Sequence, residues 1–238
     1  MKTLADLKVE IFADGADREG MLEMYAKPYI RGFTTNPTLM RKAGVTDYQA
    51  FARYIVRAIP DRPISFEVFS DEIREMEREA MEIAGWGPQV YVKVPVTNTH
   101  REPTYDLVRR LSRRGVKVNV TALMTLAQVR EVAAAVAEGA LCSVSVFAGR
   151  IADTGVDPVP VMAAAVNLLR PCPNAELIWA SPRELLNIFQ ADEIGCHIIT
   201  VTNDILKKLS LIGYDLEEFS LDTVKMFYND AEKAGYRL

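Results

Sequence analysis

The sequence predicts an α/β fold, a single-domain (β/α)8 TIM barrel with an additional C-terminal helix, and three observations support it. Eight short apolar runs rich in β-branched residues recur along the 238 residues. Their starts lie about 20 to 35 residues apart, the spacing that strand–helix units need. The intervening stretches set apolar residues at helical intervals with charges between them. A doubly wound open sheet is the alternative that the same alternation allows.

Taken in order, the predicted strands are 9–14 (VEIFAD), 32–36 (GFTTN), 64–69 (ISFEVF), 90–96 (VYVKVPV), 117–123 (KVNVTAL), 141–147 (LCSVSVF), 176–181 (ELIWAS) and 197–202 (HIITVT). Residues 71–84 (DEIREMEREAMEIA) and 126–138 (LAQVREVAAAVAE) have helical periodicity. Ser70 and Asp71 offer an N-cap to the first of these. Gly115, Gly139 and Gly195 each follow a helical pattern and precede a strand, where a C-cap glycine belongs. No linker, low-complexity tract or repeat breaks the rhythm, so residues 1–238 read as one domain. Residues 216–238 are an amphipathic extension that can pack on its own barrel or on a neighbouring subunit.

Composition narrows the chemistry. A chain this long buries enough apolar surface to fold without a metal or disulfide. Cys142, Cys172 and Cys196 are an odd set without C-x-x-C spacing, so neither a disulfide framework nor a zinc knuckle is indicated, and buried thiols are expected. Two histidines, His100 and His197, cannot supply a three-histidine metal site. The formal net charge is −4 with basic residues dispersed, which offers no cationic face to nucleic acid. The N-terminus lacks a long apolar segment and no stretch reaches bilayer length, so no membrane is expected and the location expected is cytoplasmic.

Strands of a barrel should be nearly continuous apolar runs, yet Asp14, Asn36, Glu67, Lys93, Thr121 and Ser181 sit near the ends of six of them. Those ends converge on the face where barrels build active sites. Lys93, set among valines and a tyrosine, is the most informative. Lysine is rarely buried without a role, and desolvation favours the free amine that attacks a carbonyl. An ion pair with Glu67 or Asp14 is the structural alternative. Arg150 after the sixth run, and Ser181 and Arg183 at the end of the seventh, are candidate anion ligands, because guanidinium forks suit phosphate and a serine with backbone N–H groups at a helix start completes the cradle.

These residues fall within motifs that resemble the transaldolases. GFTTNPT (32–38), VKVPVT (92–97), NVTAL (119–123), SVFAGR (145–150) and the Ala180–Arg183 stretch occur in that family's order and spacing, and ADGAD (13–17) is similar to its first-strand aspartate motif. The likeness covers the chain to about residue 205 and is closest to the short subfamily that includes the fructose-6-phosphate aldolases. It implies a class I aldolase barrel acting on phosphorylated sugars with no metal or cofactor, and a Schiff base on Lys93. By the same resemblance, Asp14 exchanges the C4 hydroxyl proton, and Glu67 and Thr121 hold the water of imine formation. Asn36 and Ser145 would hold the dihydroxyacetone hydroxyls, with Thr34 and Asn119 lining the same pocket. Arg150, Ser181 and Arg183 would bind phosphate.

Glu67 and Phe147 match the transaldolases, where the aldolases carry Gln and Tyr. Phe cannot help protonate an enamine, which favours transfer of dihydroxyacetone to an acceptor over its release. Release of free dihydroxyacetone, and a noncatalytic sugar-phosphate-binding barrel, are the alternatives. Gly15, Val146 and Pro182 depart from the pattern, and Asn98–Pro103 replaces a short turn after Lys93, where a change would alter substrate choice. His100 in that loop either touches the substrate or lies on the surface. The resemblance further implies a homo-oligomer, pentamer-based and up to a decamer.

Overall fold

Eight parallel strands pair in chain order and the last closes on the first, in a computed structural model that describes residues 2–237. Met1 and Leu238, the end residues of the predicted domain and extension, lie outside the described residues. The strands are β1 (Glu10–Asp14), β2 (Ile30–Thr34), β3 (Ile64–Glu67), β4 (Val90–Pro95), β5 (Val118–Leu123), β6 (Cys142–Val146), β7 (Ala175–Trp179) and β8 (Ile198–Thr202). The β1–β8 ladder runs from Glu10 opposite Ile198 to Asp14 opposite Thr202, which excludes the open-sheet alternative.

The helices are α1 (Arg18–Tyr25), α2 (Pro37–Lys42), α3 (Tyr48–Ala58), α4 (Ile73–Ala84), α5 (Tyr105–Arg113), α6 (Leu126–Val136), α7 (Ala148–Ala152), α8 (Pro158–Leu169), α9 (Leu186–Glu193), α10 (Asn203–Leu206) and α11 (Leu216–Ala234). Local chemistry sets their starts. Asp17, Asn36, Asp47 and Asp157 accept backbone N–H groups at N-caps, Thr125 and Gln128 form a capping box, and prolines open α2 and α8.

Strand residues alternate between the barrel axis and the helix layer. On β4, Val92 and Val94 are fully buried in the apolar cluster that includes Leu107, Leu111 and Ile83 from the helices, while Lys93 between them faces the axis. Each such buried aliphatic side chain stabilises the fold by roughly 1.5–3 kcal/mol. Cys142 and Cys196 are buried and Cys172 half-buried, all as free thiols, and burial pushes the first two up to about 12.

Several predicted boundaries shift. β2 starts and ends two residues earlier than the 32–36 run, so Asn36 caps α2 instead of ending a strand. β3 ends at Glu67 because Phe69 and Ser70 donate their N–H groups to Glu79. β6 stops before Phe147 and β7 before Ser181. α4 begins at Ile73, since Ser70 accepts from Glu72 in a tight turn rather than capping the helix. Gly115 and Gly195 take positive φ, +81° and +73°, but Gly139 is needed for close approach: a Cβ there would meet Ser112 Oγ at 1.9 Å.

α11 runs for 19 residues with none buried, and Leu216, Val224, Phe227 and Tyr228 on it are more than half exposed. No helix among the described residues is long and apolar enough to cross a membrane.

At the opposite end of the barrel from the strand C-termini, Asp192 on α9 ties down the N-terminal segment. Its side chain, 1% exposed, accepts from Lys8 N at 2.6 Å, Val9 N at 3.0 Å and Lys2 Nζ at 2.6 Å. Burial works to raise this carboxyl's pKa, but the Lys2 ammonium and the two backbone donors together hold it below the usual carboxylate value. The associated stability is therefore present above the unfolded-state value near 3.8 and is lost as pH falls through the lower folded-state value. Asp192→Ala should cost about 3 kcal/mol in urea unfolding by leaving buried donors unpaired, and should remove this part of the acid sensitivity.

Candidate active site

The C-terminal ends of the strands enclose a cavity of about 450 Å³. Of the residues singled out in the sequence, Asp14, Thr34, Asn36, Glu67, Lys93, Thr121, Ser145, Phe147, Arg150, Ser181 and Arg183 line it. Asn119 does not: it is fully buried beneath the wall, where its Nδ2 donates to Ser65 Oγ at 3.0 Å and its Oδ1 accepts from Ser145 Oγ at 2.7 Å. It holds Ser145 rather than lining the cavity, because its amide is engaged at both ends inside the barrel, by Ser65 of β3 and Ser145 of β6.

Lys93 has a side chain only 8% exposed. Its ammonium donates to the Thr35 carbonyl at 2.8 Å and lies 3.3 Å from Glu67 Oε2. The pairing follows from register, since Glu67 stands opposite Lys93 across the β3–β4 ladder. Glu67 is itself held by Tyr48 of α3, whose hydroxyl donates to the Glu67 carbonyl at 2.9 Å and accepts from its N–H at 2.8 Å. Here the ammonium is compensated by the carboxylate and by the Thr35 carbonyl, while the Glu67 side chain keeps 17% exposure.

Asp14 stands opposite Thr34 across the β1–β2 ladder and accepts from Thr34 Oγ1 at 2.8 Å. Burial raises its pKa above the usual carboxylate value, against the opposing effects of the Lys93 charge and the Thr34 hydrogen bond, while Glu67 adds a smaller upward push. Thr34 Oγ1 also contacts Thr200 Oγ1. Thr121 Oγ1 is buried and makes no hydrogen bond to protein among the described residues. A break in the β5–β6 register between Val120 and Leu123, with Ala122 at φ +64°, lets the adjacent Thr121 and Ala122 both reach the cavity, which a regular strand forbids.

The rim on the β6–β7 side carries the cationic groups. Arg150 lies on α7, and Arg183 donates through Nε to Asp153 Oδ1 at 3.0 Å and pairs with its second oxygen through Nη2. Ser181 takes a left-handed backbone, φ +57°, unusual for a residue with a Cβ. Gly149 makes this packing possible: its N–H donates to the Ala180 carbonyl, and a Cβ would lie 1.6 Å from the Ser181 carbonyl oxygen.

The Asn98–Pro103 loop contributes nothing to the cavity lining. It folds onto the β3–α4 loop, with the Thr99 N–H and hydroxyl both donating to Asp71 and His100 Nδ1 3.2 Å from the same carboxylate. His100 is 77% exposed, so of its two sequence-based placements the surface one holds. Thr200, Tyr48, Ala122 and Asp153 escaped the sequence reading. Thr200 had a signal, a hydroxyl within an apolar strand run, whereas the others contact the site only through the fold. Among the described residues no group of three or more His, Cys, Asp or Glu is placed to hold a metal ion.

Comparison with known proteins adds a family. The profile described as transaldolase/fructose-6-phosphate aldolase matches residues 11–238. A "Probable transaldolase" of Thermoanaerobacter sp. is 31% identical over 231 residues, covering 97% of this chain and all of that one. A "Probable transaldolase" of Dehalococcoides mccartyi is 32% identical over 202 residues, 84% of this chain and 90% of that one. Among solved structures, dihydrodipicolinate synthase from Rhodopseudomonas palustris superimposes with a TM-score of 0.58 at 14% identity, covering 93% of this chain and 80% of that one, a likeness of fold.

Proposed function

Because the chain belongs to the transaldolase/fructose-6-phosphate aldolase family, we propose that it is a transaldolase that carries a dihydroxyacetone unit from a ketose phosphate to an aldose phosphate through a Schiff base on Lys93. The observation that carries this reading is the buried Lys93 ammonium at the cavity wall, in contact with Glu67 and near the half-buried carboxyl of Asp14.

In this mechanism Glu67 takes the proton that frees the Lys93 amine, which attacks the C2 carbonyl of a donor such as fructose 6-phosphate or sedoheptulose 7-phosphate. The carbinolamine loses water, and Thr121 with Glu67 holds that water, a role supported by the otherwise unpartnered Thr121 hydroxyl. Asp14 removes the C4 hydroxyl proton. The electrons of the C3–C4 bond pass into the protonated imine, giving an enamine on Lys93 and a free aldose phosphate. The enamine carbon then attacks the carbonyl of an acceptor aldose phosphate, and Asp14 returns its proton to the new alkoxide. Hydrolysis releases the ketose product and the amine.

Asn36 and Ser145 line the part of the cavity suited to the dihydroxyacetone hydroxyls, and Thr34 lies beside them. Phe147 supplies no hydroxyl to protonate the enamine, which supports transfer over release. Arg150, Ser181 and Arg183 converge on one rim, which suits a single phosphate.

Borohydride added with fructose 6-phosphate should leave a reduced adduct on the Lys93 peptide, absent in Lys93→Ala, which should lose turnover. Glyceraldehyde 3-phosphate should appear faster with erythrose 4-phosphate present; equal rates without acceptor would contradict transfer. Arg183→Ala should raise KM for fructose 6-phosphate about tenfold or more, the worth of a charge-assisted hydrogen bond, and leave unphosphorylated donors little changed. Equal effects on both would remove Arg183 from phosphate binding. The exposed apolar residues of α11 support a homo-oligomer, so removal of residues 216–238 should lower the mass in solution measured by light scattering.

A further inference from the structure

We propose that Thr200 is a positioning residue for proton transfer at Asp14, its hydroxyl donating to Thr34 and so committing the Thr34 hydroxyl to the Asp14 carboxylate. The inference rests on the role of Asp14 in the proposed transfer reaction.

Hydrogen counting supports the direction of this chain. Thr34 Oγ1 carries one hydrogen and contacts two oxygens, Asp14 Oδ1 at 2.8 Å and Thr200 Oγ1. An ionised carboxylate only accepts, so the Thr34 hydrogen points to Asp14 and the Thr200 hydrogen points to Thr34. If Asp14 were protonated and donated to Thr34, the chain would reverse. Thr34 would donate to Thr200, and the Thr200 hydrogen would turn away from Thr34, with no other protein acceptor among the described residues. A neutral Asp14 carrying its hydrogen on Oδ2 would still accept at Oδ1, but as a weaker acceptor than a carboxylate, so the Thr200-to-Thr34-to-Asp14 direction is strongest with the ionised form, the one that accepts the C4 hydroxyl proton.

Barrel closure builds this arrangement. β1 is flanked by β2 and β8, and Thr34 and Thr200 come from these two neighbours, 166 positions apart in sequence. Thr200 is 6% exposed and lines the same cavity as Asp14. The charges that act on Asp14 are Lys93 on β4 and Glu67 on β3; β2 and β8 present hydroxyls, Thr202 opposite Asp14 among them, and Asp17, Lys42 and Asp204 line the adjoining cavity on its other side. Burial favours the protonated acid, and Lys93 with Thr34 opposes it. Thr200 acts by keeping Thr34 in the opposing role.

The test is the pH dependence of kcat/KM for fructose 6-phosphate with erythrose 4-phosphate, which reports groups on the free enzyme. Thr200→Val keeps the shape and removes the donor. Its acid limb should move up by about half to one pH unit, so that activity falls about three- to tenfold on the acid side and stays within about twofold at alkaline pH. Thr200→Ser should restore the wild-type limb. An unmoved limb in Thr200→Val, a uniform loss at every pH, or a limb displaced equally in Thr200→Ser would each overturn the proposal. If the valine variant is unstable, Thr200→Ala makes the same donor deletion. Borohydride trapping on each protein separates the two levels: a Lys93 adduct with an unmoved limb refutes the relay alone, whereas no adduct in the unsubstituted protein refutes the imine mechanism on which it rests.

Discussion

An ammonium group held almost out of water at the mouth of a parallel barrel is the constraint around which this protein is arranged. Moving a lone charge from water to such a site costs several kcal/mol even after relaxation, so Lys93 needs compensation on more than one side. Glu67 supplies an opposite charge from the adjacent strand and the Thr35 carbonyl a neutral acceptor. Tyr48, clamping the Glu67 backbone from a helix outside the barrel, fixes where that opposite charge stands. The aromatic ring of Tyr48 packs edge-on against Phe66 and Trp86, so core packing and site electrostatics share one side chain.

A second carboxyl, Asp14, is half-buried within range of the same lysine but is not its ion-pair partner. The two acids thus face different environments. Glu67 has the close ammonium, while Asp14 has burial pressing it toward the neutral form and hydroxyls opposing that pressure. Two carboxyls in unlike settings can divide proton handling between them. Backbone irregularity clusters around them. Ala122 and Ser181, both left-handed, border the cavity, and Gly149 permits a backbone approach that no other residue allows. Such strain persists where the surrounding fold over-determines it.

Much of this was legible in the chain. Eight apolar runs at βα spacing correspond to eight strands, and a lysine among valines marked the end of the barrel that holds the cavity. The readings that failed were those in which a polar side chain was claimed by another partner, local or distant. Asn36 reads as a strand residue because GFTTN is apolar enough, yet its amide caps α2. Asn119 reads as a pocket residue because it shares the interior face of β5 with Thr121, yet it lies one layer deeper in the barrel, where Ser65 and Ser145 engage its amide. The Asn98–Pro103 loop stands out in sequence, but its polar groups are satisfied by Asp71 and by each other, away from the cavity.

What the sequence determined by itself was the architecture and the residue types that meet at one end of it, because strand–helix periodicity and polar residues at strand ends are local signals. Which of those residues touch was decided only by closure of the barrel. Register sets Glu67 opposite Lys93, a bulge brings Thr121 and Ala122 to one surface, and the last strand carries Thr200 to Thr34. Contacts across a closed sheet depend on stagger and alternation summed around the whole ring, and no single segment of the chain contains that information.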